Sequence, residues 1–165
     1  MNLSKTTKTY FKIAKDVSLL SNHEEYKLGC VVINKHKIIS SGCNSRTKCR
    51  KLQADLDYKY FNVESKGAVH AEIDALLPLL KKDMDLSNAS LYTYREDKQG
   101  HIAMSRPCPR CMEIIKKCGI KKINYTTYEG FVFEKLGENI WKNEKIDLLI
   151  FNIKYLRALQ QYLVY

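Results

Sequence analysis

No run of apolar residues in this chain approaches the roughly 18 that a membrane-spanning helix requires, and the opening Met1-Asn2-Leu3-Ser4-Lys5 lacks the apolar core of a secretory leader. No membrane partner is therefore expected, and a cytoplasmic location is. Internal repeats and low-complexity tracts are absent too, which argues against a solenoid or a disordered tail. Acidic residues are scarce: 18 Asp and Glu stand against 28 Lys and Arg, a net charge of +10. That imbalance points to anionic partners without separating a nucleotide from a nucleic acid. In a reducing compartment the six cysteines read as metal ligands or free thiols and not as a disulfide framework.

What is present suits one globular domain over residues 1–165, with 45% apolar residues to form its core. Residues 5 to 20 predict a helix with Tyr10, Ile13, Val17 and Leu20 on one side and a solvated row of Lys5, Lys8, Lys12 and Lys15 on another. Two β-branched runs, Leu28 to Asn34 and Lys37 to Cys43, predict an antiparallel hairpin turning at Lys35-His36. Residues 44 to 67 have no regular assignment; they open with the cations Arg46, Lys48, Arg50 and Lys51 and suit substrate selection or subunit contact. Val69 to Lys82 reads as a buried helix that Pro78 should kink or end.

Leu91 to Tyr94 predicts a third strand, with His101 to Met104 pairing back on it. A helix over Cys108 to Cys118 follows, with Gly119 as its C-cap, then strands over Ile120 to Thr126 and Phe131 to Leu136. From Asn143 to Tyr165 the absence of Gly and Pro favours a terminal helix, although Ile146 to Ile153 also fits a strand. The alternation of elements predicts an α/β fold around one mixed sheet.

Two pieces of sequence carry the chemistry: His70-Ala71-Glu72 and Pro107-Cys108-Pro109-Arg110-Cys111. One imidazole and two thiolates suit Zn²⁺, and three protein ligands leave the fourth tetrahedral position for water. Cys108 and Cys111 lie over one turn at a helix start, where free N–H groups and the dipole favour thiolates. Glu72, two residues from His70, is expected beside the metal as a proton carrier and not as a ligand. A structural Cys₃His set of His101, Cys108, Cys111 and Cys118 competes, but it explains neither His70 nor Glu72. A second metal site from Cys43, Cys49, His23 or His36 fits no known spacing. Cys30, Cys43 and Cys118 read as small buried hydrophobes, and Tyr58, Tyr60, Tyr92 and Tyr94 as packing residues before base-stacking ones.

Together these residues resemble the zinc-dependent cytidine and deoxycytidylate deaminase superfamily. The similarity takes in the Leu28-Gly29-Cys30-Val31-Val32 strand, Gly42-Cys43-Asn44, Leu91-Tyr92-Thr93 and Cys118-Gly119-Ile120, and covers residues 27–127, with residues 143–165 a C-terminal helical extension. It implies a three-layer α/β/α fold, a mixed sheet of about five strands with helices on both faces. It also implies a homo-oligomer and hydrolytic deamination of cytosine to uracil. His70, Cys108 and Cys111 would hold the zinc whose hydroxide attacks C4, while Glu72 shuttles protons to N3 and the leaving ammonia.

Asn44 would contact the sugar or hold the loop near it, and the Ala71 N–H would hold the base edge. Apart from the resemblance, the cations Arg46, Lys48, Arg50 and Lys51 follow Asn44 and put positive charge beside the sugar position; Arg46 is assigned to phosphate, with a solvated loop as the alternative. Arg106 is assigned to substrate as well; it stands where many adenosine-type relatives carry an acid, which favours cytosine over adenine. The chain departs from the common pattern in its long link, Arg95 to Ser105. A deoxycytidylate-type nucleotide or nucleoside is the first expected substrate and cytosine in single-stranded DNA or RNA the second. A nucleic-acid-binding zinc module without turnover is the alternative of another class.

Overall fold

The computed structural model describes residues 3–47 and 69–137. Its elements are α1 (Lys5–Ser18), β1 (Leu28–Asn34), β2 (Lys37–Cys43), α2 (Ala71–Leu80), β3 (Ser90–Arg95), α3 (Pro109–Lys117), β4 (Lys122–Thr127) and β5 (Gly130–Lys135). The expected insertion after residue 47 and the expected terminal helix lie outside the described residues. Among the described residues no helix is long and apolar enough to cross a membrane.

The five strands form one sheet in the order β2-β1-β3-β4-β5. Pairing is antiparallel except between β3 and β4, so the sheet is mixed. Lys35 (φ 48°) and His36 (φ 63°) both adopt the left-handed conformation of a primed hairpin turn, which matches the twist of β1 and β2.

The period of two along each strand divides the core between two faces. Cys30, Val32, Leu91 and Ile123 pack with Leu76 of α2 and Ile115 of α3, whereas Val31, Ile33, Tyr92 and Tyr94 pack with Tyr10, Phe11 and Ala14 of α1. The result is the three-layer α/β/α arrangement. It also settles the strand tyrosines, since Tyr92 makes edge contacts with Tyr10 and Phe11 on the α1 face.

Two glycines set how closely the layers approach. A Cβ on Gly29 would lie 1.9 Å from the Ala14 carbonyl oxygen, and one on Gly42 would lie 2.3 Å from the Ala75 nitrogen. Backbone therefore rests on backbone at both places. Tyr10 is buried as expected, with Ile13 and Val17 half-buried beside it, and the close approach explains where α1 departs from expectation: Phe11, Ala14 and Ser18 share the buried face, and the helix ends at Ser18 while Leu20 is 75% exposed. Small side chains, not the largest aliphatic ones, permit the contact over Gly29.

Pro78 lies inside the last turn of α2, which ends two residues later at Leu80. At the end of α3, Gly119 (φ 83°) closes a Schellman motif in which its N–H donates to the Lys116 carbonyl at 2.9 Å and the Ile120 N–H to the Ile115 carbonyl at 3.2 Å. Ile120 is consumed by that cap, so β4 starts at Lys122 and not at Ile120.

Candidate active site

Both halves of the site sit at helix starts. Ser45 and Val69 bridge through two backbone hydrogen bonds of 3.0 and 2.8 Å, which delivers His70 to the N-cap of α2. Cys108 is the N-cap of α3, with Pro109 at the first helical position. Neither His70 nor Cys108 caps its own helix through its side chain. Instead the two turn towards each other, and the positive ends of both helices converge on the site.

The cysteine half is anchored by a buried hydroxyl network. Thr93 Oγ1 donates to the Ser105 carbonyl at 2.7 Å, and Ser105 Oγ donates back to the Thr93 carbonyl at 3.0 Å. The Thr126 N–H donates to Ser105 Oγ at 2.9 Å, and Thr126 Oγ1 donates to the Ala103 carbonyl at 2.7 Å. The link between β3 and Cys108 is thus tied to two strands. Its earlier part pairs back, since the Ala103 N–H donates to the Arg95 carbonyl at 3.0 Å.

His70 Nδ1 lies 3.5 Å from Cys108 Sγ and 3.3 Å from Cys111 Sγ, across 38 and 41 residues of chain. All three donor atoms fall within 4.8 Å of one another. A tetrahedral zinc with Zn–N of about 2.0 Å and Zn–S of about 2.3 Å needs N–S separations of about 3.5 Å, so this donor set fits zinc. Cys108 is held near a pKa of about 4, first by its hydrogen bond with Cys111 and then, against burial, by His70. Cys111 is pushed well up by the same hydrogen bond and by burial. The shared hydrogen bond thus favours a pair that keeps one proton between its two sulfurs, and a cation bound by both would displace it.

Glu72 is 2% exposed. Burial raises its pKa, with His70 opposing. A buried carboxylate two residues from a candidate metal donor can accept a proton from water and pass it on.

The residues assigned to substrate lie in different situations. Ala71 is fully buried at the first position of α2, where helix geometry gives its N–H no intrahelical acceptor. Asn44 is buried and spends its side chain on the neighbouring loop: Oδ1 accepts from the Leu28 N–H at 2.8 Å, and Nδ2 donates to the Tyr26 carbonyl. Arg46 pairs with Glu24 at 3.6 Å. Arg106 grips Glu134 of β5 with a two-bond fork of 2.9 and 2.8 Å.

The competing structural set does not assemble. Cys118 caps the far end of α3, ten residues from Cys108 and therefore about 15 Å along the axis. His101 is exposed and faces Asp97 at 3.3 Å. Replacing His101 with Ala should leave the zinc content of the purified protein unchanged; metal loss would restore the structural reading. Among the described residues no second metal-holding group occurs: His23 Nδ1 accepts from the Glu25 and Tyr26 N–H groups, and Cys30 and Cys43 are buried.

Sequence reasoning did not single out Ser105, Thr126 or the close approach at Gly42. A glycine inside a strand is a signal for such an approach, but polar residues before a cysteine motif carry none.

Residues 4–127 match the family described as the cytidine and deoxycytidylate deaminase zinc-binding region. No curated protein matches the sequence significantly. Among solved structures, the dCMP deaminase of the cyanophage S-TIM5 in apo form is 23% identical, with a TM-score of 0.55 over 75% of this chain and 84% of that one. The same enzyme in complex with dCMP and dUMP is 21% identical, with a TM-score of 0.54 over 76% and 83%. The cytidine deaminase of Burkholderia pseudomallei is 13% identical, with a TM-score of 0.54 over 81% and 93%. At these identities the structures establish a shared fold. The matched family region spans both halves of the motif that the fold brings together, and on that ground the chain belongs to the cytidine and deoxycytidylate deaminase family of zinc-dependent hydrolases.

Proposed function

We propose that this chain converts cytosine to uracil in a free nucleotide of the deoxycytidylate type, adding water at C4 and releasing ammonia. The observation that carries the reading is the His70, Cys108 and Cys111 cluster with buried Glu72 in the same turn of α2. Zinc, when bound, supplies the Lewis acidity that makes water nucleophilic near neutral pH.

The rest falls to the chain's own groups. Glu72 accepts the proton of the attacking water, gives it to ring N3, and then helps protonate the departing amino group. The Ala71 N–H is placed to hold the base edge. Asn44, by fixing the Tyr26 to Leu28 loop, shapes the sugar position. The net charge of +10 supports an anionic substrate, and the S-TIM5 enzyme of the same fold is described in complex with dCMP and dUMP.

The same charge favours a second reading, cytosine within single-stranded nucleic acid. A panel of cytidine, deoxycytidine, deoxycytidylate, its triphosphate, adenosine and single-stranded DNA and RNA, assayed for ammonia, separates the two. Deoxycytidylate should give the highest kcat/KM. Activity confined to the polymers would reject the nucleotide reading.

A further inference from the structure

We propose that Arg95, stacked on Tyr26, is the specificity-determining residue that takes the phosphate of the nucleotide; this rests on the nucleotide reading above. Arg95 is the last residue of β3. The period of two places it with Leu91 and Thr93 on the face that carries α2 and α3, opposite Tyr92 and Tyr94. That is the face from which His70 and Cys108 approach.

Its flanks belong to the same site. Arg95 pairs across the sheet with Leu28, whose N–H is held by Asn44, while its own carbonyl receives the Ala103 N–H from the link leading to Cys108. Arg95 therefore lies between the loop assigned to the sugar and the loop that carries the cysteines.

Its guanidinium is positioned but not consumed. The charge centre lies 4.5 Å from the centroid of the Tyr26 ring, which is 46% exposed. One terminal nitrogen reaches the Met104 carbonyl only at 3.4 Å, and Nε is buried without an acceptor among the described residues. A guanidinium presents five donors in a fork that matches phosphate, and with Nε closed off the weakly engaged terminal nitrogens are the ones left to take an anion.

Among the described residues, three carboxylates of the neighbouring segments are engaged elsewhere. Glu96 is held by Lys15 and Tyr94 on the α1 face, Glu24 faces Arg46, and Glu134 is gripped by Arg106. The Tyr26 carbonyl accepts from Asn44 Nδ2, so the residue that carries the arginine also fixes the asparagine beside the sugar. A 5′-phosphate one bond beyond that sugar is the anion best placed to complete the set.

The test uses the full-length zinc-loaded protein and measures Kd for deoxycytidylate, deoxyuridylate and deoxycytidine alongside kcat/KM. Arg95→Gln should weaken both nucleotides by about 10- to 100-fold, the worth of a charge-assisted pair, and change deoxycytidine by less than about threefold. Arg95→Lys, which keeps the charge and the stem, should recover part of the nucleotide affinity, and Tyr26→Phe should retain it.

Equal losses for nucleotide and nucleoside, or no loss for either, would overturn the proposal, as would a wild type that binds the two alike. Nucleotide binding that depends on Arg95 but leads to no ammonia would reject the proposed reaction and leave the phosphate site standing.

Discussion

Replacing Glu72 with Gln is expected to leave zinc in place and to lower ammonia release by about 10²- to 10⁴-fold or more, the range that a positioned acid–base group supplies. The donor atoms grouped closely enough to hold a cation are those of His70, Cys108 and Cys111, so the metal should survive the change. Gln keeps the volume of a side chain that is 2% exposed, which separates lost chemistry from lost packing. Metal analysis and an ammonia assay on the same sample check both halves. Turnover within a few-fold of wild type would remove Glu72 from the mechanism.

Stability should move the other way. Burial raises the Glu72 pKa in the folded chain, so at neutral pH ionisation favours the unfolded chain. That penalty appears as pH rises through the unfolded value and is absent below it. Metal-free Glu72→Gln protein should therefore melt no lower than metal-free wild type at neutral pH.

Gly42→Ala is expected to destabilise the protein by about 3 kcal/mol, at the upper end for overpacking, because the obstacle is backbone and cannot rotate away. The added Cβ would stand 2.3 Å from the Ala75 nitrogen and 2.7 Å from the Ala71 carbonyl oxygen. These atoms belong to the turn that carries Glu72 and follows His70, so α2 must lift off β2. The Cys43 N–H bond to Asp74 Oδ2, 3.0 Å long, would be stretched with it.

Gly29→Ala is the control, since its Cβ would meet Ala14 and Ser18 of α1 on the opposite face. Both variants should melt earlier. Only Gly42→Ala should also weaken zinc binding, measured by competition with a chelator in protein that is still folded. Unchanged zinc affinity would mean that the site does not depend on how closely α2 is seated.

The hairpin was legible in the sequence because two β-branched runs and a two-residue gap are local facts, and β1 and β2 occupy the predicted residues. The cysteine helix was legible for the same reason, with Pro109 at its start and Gly119 just beyond its end. Helix α1 was only half legible. Periodicity favoured Tyr10, Ile13, Val17 and Leu20; the first three do pack against the core, but Leu20 is exposed and the helix turns Ala14 and Ser18 onto Gly29.

Partner choice is harder to read than element type. Arg46 and Arg106 look like substrate cations in the sequence, but each faces a carboxylate in the fold, Glu24 and Glu134. Arg95 stands out in the sequence only as the start of the long link before the cysteines, and among the described residues it is the arginine with a buried Nε that has no acceptor.

By itself, then, the sequence determined the chemistry: an imidazole, two thiols three apart and one carboxylate, in a spacing that suits zinc and a proton carrier. Those are properties of residue type and short-range spacing, which any copy of the motif carries. Tertiary structure decided the rest, by closing His70 onto Cys108 across 38 residues, ordering the strands β2-β1-β3-β4-β5 and distributing the carboxylates among the cations. The physical reason is that local periodicity fixes the type of an element and the face it buries, whereas close backbone approach and competition for hydrogen-bond partners exist only once distant segments are packed together.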